Sequence, residues 1–349
     1  MPHQQPQDPS GQPLDPVATL RRIAFLLERR LADSFRIKAY RAAAAALLQV
    51  PAGEVADRTR AGTLRDLPGI GAKTAAIVTD CVAGRVPPYL TELEDSAVPL
   101  APEGAHRAAL RGDLHSHSDW SDGGSPIEEM AMTALELGHD YLVLTDHSPR
   151  LKVANGLSVA RLTQQLEVVA AVDAHLGDGF SLLQGIEVDI LDDGGLDQTD
   201  EMLARLDVVV ASVHSKLRMD RAAMTRRMVA AVSHPETNVL GHCTGRLVTG
   251  GRGTRPQSEF DASAVFAACA EHDVAVEINS RPERRDPPDD LVAVALEAGC
   301  LFSIDSDAHA PGQLDFVAYG GQRADELGVP VDRVVNTWPV DRLLEWARR

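Results

Sequence analysis

Arg111-Gly112-Asp113-Leu114-His115-Ser116-His117 is a short run that leads into two imidazoles, and six more short apolar runs follow it along the chain. These lie at Tyr141 to Asp146, Ser181 to Val188, Leu206 to Val213, Asn238 to Gly241, Val274 to Ile278 and Leu301 to Ser306. Six of the seven end in a residue able to bind a metal: His115 and His117 with nearby Asp122, then His147, Glu187, His214, His242, and Asp307 with His309. Helical patterns lie between most of them, at Pro126 to Leu137, Ser158 to Leu176, Ala222 to Ser233, Ala262 to His272 and Asp290 to Ala298. Strands alternating with helices predict an α/β fold with a parallel sheet enclosed by helices, and a closed barrel follows. Active sites of such barrels form at the C-terminal ends of the strands, so these ligands should meet on one rim.

Residues two apart in a strand share a face, so His115 and His117 can ligate together. A single His-x-His is weak evidence, because a surface or hydrogen-bonded histidine explains it as well. The ordered series Thr145-Asp146-His147-Ser148, Gly185-Ile186-Glu187-Val188, Ser212-Val213-His214-Ser215, Gly241-His242-Cys243-Thr244-Gly245-Arg246 and Ser306-Asp307-Ala308-His309 is strong evidence. Charged groups seldom sit at buried strand ends unless paired or metal-bound.

With 349 residues the chain exceeds one barrel and leaves room for a small extra domain. The opening MPHQQPQDPSGQPLDP has no basic region followed by an apolar stretch, so residues 1–15 read as a disordered leader and the cytoplasm as the compartment. No run is long and apolar enough to predict a membrane span. Cys81, Cys243, Cys269 and Cys300 form no C-x-x-C pair and read as buried thiols. The net charge of −17 is uneven: residues 1–95 hold 12 Lys/Arg against 11 Asp/Glu, a balance of +1, which leaves −18 for the remainder. Bound cations at a carboxylate rim would offset part of that charge, so acidity does not exclude a nucleic-acid substrate.

Residues 16–95 read as all-α, with amphipathic helices at Val17 to Leu31, Ile37 to Leu48 and Ala72 to Val82. The turn Leu67-Pro68-Gly69-Ile70-Gly71 before the last of these is a helix-hairpin-helix signature. Its glycines allow close backbone approach, and the following helix N-terminus suits a phosphate oxygen. Together with Ser34-Phe35-Arg36-Ile37-Lys38-Ala39-Tyr40-Arg41, this segment resembles the small N-terminal domain of family X DNA polymerases. The resemblance implies sequence-independent DNA binding through Arg36, Lys38, Gly69, Gly71 and Lys73. Relatives with lyase activity carry a Schiff-base lysine four residues beyond the position of Lys73, where this chain has Ile77. Imine chemistry needs that amine, and Ile77 with Val78, Cys81 and Val82 reads as a core face.

Residues 111–349 resemble a PHP domain, the family named for polymerases and histidinol phosphatases. The resemblance extends to Glu277-Ile278-Asn279 and to Val334-Val335-Asn336-Thr337. It implies a distorted (β/α)7 TIM-like barrel and up to three divalent ions. His115, His117, Glu187 and Asp307 would hold the first; Glu187 would bridge to a second held by His214 and His242; Asp122, His147 and His309 would hold the third. Mixed imidazole and carboxylate ligation suits Mn, Zn or Fe. The implied chemistry is phosphoester hydrolysis, with Glu187 and Asp307 at its centre. Arg246, Arg281 and Arg284 are candidate phosphate clamps. The linker of residues 96–110 is too short for a nucleotidyl-transfer core, which needs roughly 50 residues or more. The expected function is therefore a nuclease without polymerase activity, a 3′-to-5′ exonuclease or an enzyme acting at abasic sites. A small-molecule phosphatase of the histidinol phosphatase type is the alternative, and a non-catalytic DNA-binding scaffold a second.

Overall fold

A computed structural model describes residues 14–51, 53–251 and 253–348. It divides the chain into two compact units between Pro99 and Leu100. Most of the leader read from the sequence, residues 1–13, lies outside the described residues.

The first unit is built of helices Pro16–Arg29, Ser34–Leu48, Glu54–Ala61, Ala72–Val82 and Pro88–Asp95. Asp15 and Asp33 cap the first two, Asp15 accepting from Val17 N–H and Asp33 from the N–H groups of Phe35 and Arg36. Leu20, Ile23, Leu27, Ala43, Ala44 and Leu47 form its core with Val78 and Cys81. Glu28 is buried within this unit and receives Nε and Nη2 of Arg41 at 2.9 and 2.7 Å. Ile77, Val78 and Cys81 are buried, as the core-face reading requires.

The second unit is a barrel of seven parallel strands in sequential order: β1 (Gly112–Ser116), β2 (Tyr141–Leu144), β3 (Ser181–Asp189), β4 (Val208–Ser212), β5 (Val239–Leu240), β6 (Ala275–Asn279) and β7 (Phe302–Asp305). Side chains alternate as a strand demands. Val208 and Val210 join Tyr141, Val143, Leu183, Val239 and Ala275 in the barrel interior, while Val209, Ala211, Val276 and Ile278 pack outward against the helices. Both faces are thus apolar, which is why these strands read as continuous hydrophobic runs. Trp338 and Leu343 pack with the interior cluster, and Tyr141 donates its hydroxyl to the Trp338 carbonyl at 3.0 Å.

The closure between β1 and β7 departs from a regular barrel. One bridge joins Ser116 to Ala308, with His117 N–H donating to the Ala308 carbonyl at 2.8 Å. Elsewhere side chains replace the ladder. Asp305 accepts from Leu114 N–H at 3.0 Å, Asp113 accepts from Ser306 N–H at 3.2 Å, and the Asn336 amide donates to the carbonyls of Gly112 and Ile304. Burial drives both carboxyls toward the neutral form, Asp113 to about 7 and Asp305 well above the usual range, so the two acids can share the seam.

Candidate metal centre

The strands deliver the nine metal-competent side chains to one end of the barrel. Glu187 shares the inward parity of Leu183 on β3, and beyond the ends of β2, β4 and β7, residues His147, His214 and Asp307 share that of Val143, Val210 and Asp305. In β1 a register irregularity between Asp113 and Ser116 interrupts the alternation. Leu114 accordingly lies in the interior cluster, while His115 and His117 both reach Glu187.

Glu187 is the hub. Its Oε2 lies 3.3 Å from His115 Nε2, 3.6 Å from His117 Nε2 and 2.8 Å from His147 Nδ1. Its Oε1 lies 3.2 Å from His214 Nε2 and 2.8 Å from His242 Nε2. Asp307 Oδ1 approaches His117 Nε2 at 3.5 Å, and Asp122 Oδ1 sits 3.4 and 3.3 Å from Nε2 of His147 and His309. Four overlapping groups result: His115, His117 and Asp307; His115, Glu187 and His242; His147, Glu187 and His214; and Asp122, His117, His147 and His309.

These atoms fit divalent cations better than they fit one another. Both Glu187 oxygens, both nitrogens of His117 and of His242, and Nε2 of His115 are buried without hydrogen-bonding partners. Such groups are costly unless a bound ion or water satisfies them. The electrostatics agree. Burial opposes ionisation of Glu187, yet the surrounding His214, His115 and His147 hold it well below the usual carboxylate range. Burial likewise opposes charging His147, but Glu187 and Asp122 raise it to about 10, whereas burial with His309 and His147 nearby depresses His117. Carboxylates that stabilise positive charge at these nitrogens would equally stabilise a metal cation.

A second layer orients the ligands. His115 Nδ1 contacts Glu277 Oε1 at 2.6 Å and His214 Nδ1 contacts Asp189 Oδ1 at 2.5 Å, which directs each Nε2 toward Glu187. Glu277 also accepts from His242 N–H, and Asp307 Oδ2 receives Arg284 Nε at 3.0 Å and Asn279 Nδ2 at 3.2 Å. Asp307 has φ of 51°, a left-handed conformation costing about 1–3 kcal/mol for a non-glycine residue. The sequence reading missed Asp189, although its spacing of two from Glu187 on β3 signals a shared face. Glu277, quoted only as part of a motif, is likewise an orienting residue in this geometry.

The structure gives the three candidate arginine clamps different surroundings. Arg246 donates Nε to the Arg284 carbonyl at 3.1 Å and Nη2 to the Arg285 carbonyl, so two of its nitrogens brace a loop and do not face the cluster. Arg284 is buried against Asp307, where it holds a carboxylate in place. Arg281 donates Nη1 to the Asp307 carbonyl at 2.9 Å, close to His309 Nδ1, yet it also borders a cavity of about 290 Å³ with Asp122 and His309 at the mouth of the cluster.

In the helical unit, Gly69 has φ of 86°, and a Cβ there would lie 3.2 Å from the Ala42 carbonyl oxygen, so glycine is required. Gly71 is extended and has open space beside it, so its own fold does not demand glycine. Thr74 Oγ1 accepts from Gly71 N–H at 3.0 Å and steadies the start of helix Ala72–Val82. Arg36, Lys38 and Lys73 are exposed, as is Phe35 at 83%. Arg36, Lys73, Tyr40, Tyr89 and Ile77 line a cavity of about 350 Å³, with Ile77 where the lyase relatives have their amine.

Residues 14–85 match the profile of the helix-hairpin-helix domain and residues 113–281 that of the PHP domain. The helical unit thus carries the match to the helix-hairpin-helix profile and the barrel unit the match to the PHP profile. It is 37% identical over 227 residues to the "DNA polymerase/3'-5' exonuclease PolX" of Bacillus subtilis, covering 65% of this chain and 39% of that protein's length. A "Probable phosphatase" of Serratia proteamaculans is 28% identical over 247 residues, 68% of this chain and 94% of that one. Among solved structures, histidinol phosphate phosphatase of Lactococcus lactis aligns over 58% of this chain and 87% of its own, with 18% identity and a TM-score of 0.41.

Proposed function

We propose that this protein is a metal-dependent nuclease that hydrolyses DNA phosphodiesters, as a 3′-to-5′ exonuclease or at abasic sites, and does not synthesise DNA. The observation that carries the reading is the clustering of eight ligand-type side chains around Glu187, in a chain that also matches the helix-hairpin-helix profile. The similarity to a polymerase/exonuclease through 39% of its length supports the choice of substrate.

His115, His117, Glu187 and Asp307 would hold one divalent ion, Glu187, His214 and His242 a second, and Asp122, His147 and His309 a third. When bound, such ions supply Lewis-acid stabilisation of the phosphoryl oxygens and lower the pKa of water at neutral pH. The protein's part is to hold Glu187 ionised, to present the Nε2 lone pairs of His115 and His214 through Glu277 and Asp189, and to place Arg281 at the mouth for a substrate phosphate. Arg36, Lys38, Lys73 and the Gly69 to Gly71 turn would grip the DNA backbone without reading its sequence.

Incubating Mn-loaded protein with end-labelled single-stranded, duplex and abasic DNA, beside histidinol phosphate, tests the proposal. Shortening or nicking of DNA is expected; turnover of histidinol phosphate alone would replace the reading with a small-molecule phosphatase. The alignment through 94% of a protein called a phosphatase favours that second reading.

A further inference from the structure

Behind the metal centre lies a second basic cavity, of about 310 Å³, lined by Ser280, Arg281, Arg285, Tyr319, Gln322 and Arg323 among others. Arg281 borders both this space and the cavity that holds Asp122 and His309, so one side chain stands between them. Arg323 and Arg281 are 7% and 8% exposed, yet their donors are incompletely used. Arg323 gives Nη2 to the Pro287 carbonyl at 2.6 Å and to Asp289 at 2.7 Å, which leaves Nε and Nη1 buried without a partner. Arg281 places Nη1 on the metal-centre side and Nη2 3.5 Å from Glu283, and its Nε is likewise unpartnered. Ser280 Oγ adds a further unpartnered buried hydroxyl.

Acidic neighbours do not account for these donors. Asp289 faces Nη2 of both Arg323 and Arg285, and Glu326, the acidic residue of the lining, accepts from Gln322 at 2.7 Å. A buried guanidinium N–H without an acceptor is costly, and an oxyanion with several lone pairs satisfies two or three such donors at once. We propose that this cavity is a phosphate-binding site separate from the metal centre, taking a phosphate group esterified to a sugar or free in solution. Arg281, Arg285 and Arg323, which line the cavity, supply its donors, with Arg285 at the exposed rim. A phosphate of a DNA strand could reach it while the next is held beside Asp122 and His309, an arm that rests on the nuclease reading. Binding of free phosphate does not depend on that reading.

The full-length chain with its metals chelated provides the test, as wild type, Arg285→Glu and Arg323→Gln. Inorganic phosphate should raise the melting temperature of the wild type and do so less than half as much in each variant. A labelled single strand should bind about 10-fold more weakly to the variants by anisotropy, and after metal loading their turnover of a chromogenic phosphomonoester should stay within twofold of wild type. Loss of the phosphate effect with unchanged strand binding supports the site and assigns it to free phosphate. An undiminished phosphate effect in folded variants overturns the proposal, whatever happens to strand binding. Should Arg323→Gln fail to fold because Pro287 loses its donor, Arg285→Glu on the exposed rim decides.

Discussion

Glu187 touches five imidazoles with two oxygens, and no other residue of the cluster has that reach. Glu187→Gln retains the shape and removes the charge, so hydrolysis should fall at least roughly 10³-fold, the equivalent of several kcal/mol of transition-state stabilisation. Steady-state kinetics with circular dichroism to confirm folding would show it; near-normal turnover would falsify the bridging role. A second residue-scale effect concerns His139, a buried imidazole outside the candidate metal groups. Burial, reinforced by Arg107, lowers its pKa from 6.5 to about 4, and neither ring nitrogen has a partner. The unfolded chain takes up a proton near 6.5 where the folded one does not, so this stabilisation is present above 6.5 and lost as pH falls toward 4. The loss is at most about 3 kcal/mol. His139→Phe should flatten that part of the urea-unfolding profile; an unchanged slope between pH 6.5 and 4 would exclude the assignment.

At the scale of elements, the hairpin before helix Ala72–Val82 separates fold from function. Gly69 is held by its left-handed φ and the nearby Ala42 carbonyl, whereas Gly71 has open space and Lys73 is exposed. Lys73→Glu should therefore leave the melting temperature within a degree or two, weaken DNA binding about 10-fold or more, and flatten the salt dependence of log K by about one unit. Gly69→Val should instead unfold the helical unit. DNA affinity of Lys73→Glu equal to wild type at every salt concentration would remove the hairpin from the proposed interface. The strand elements show where sequence reading stops: the runs ending at His147, Glu187, His214 and Asp307 announce their ligands, but nothing in Arg111 to His117 announces the irregularity of β1.

Across the whole molecule, the buried ligands couple metal binding to stability. A cation that binds only the folded barrel stabilises it by RT ln(1 + [L]/Kd), about 2.7 kcal/mol at a hundredfold excess over Kd. Chelation should lower the melting temperature of the barrel unit by several degrees and leave the helical unit, with its own core, unmoved. Re-addition of Mn or Zn should restore it, more strongly at pH 8 than at pH 6, because protons compete for the imidazoles. Calorimetry before and after chelation checks this, and a single transition indifferent to metal would contradict it.

The sequence by itself determined the alternation of strands and helices, the ligand-bearing strand ends and the helical hairpin, because these follow from local periodicity and from residue types that are costly to bury without a partner. Tertiary structure alone decided what lies far apart in the chain. Asp305 and Asn336 close the barrel against β1 through contacts spanning nearly 200 residues or more. Glu277 and Asp189 orient imidazoles on other strands. The arginines show the difference most directly: from sequence Arg246, Arg281 and Arg284 are equivalent cations near a rim. In the fold, one braces a loop, one holds a carboxylate and one stands between two cavities, because a guanidinium's role depends on which acceptors the folded backbone places within its reach.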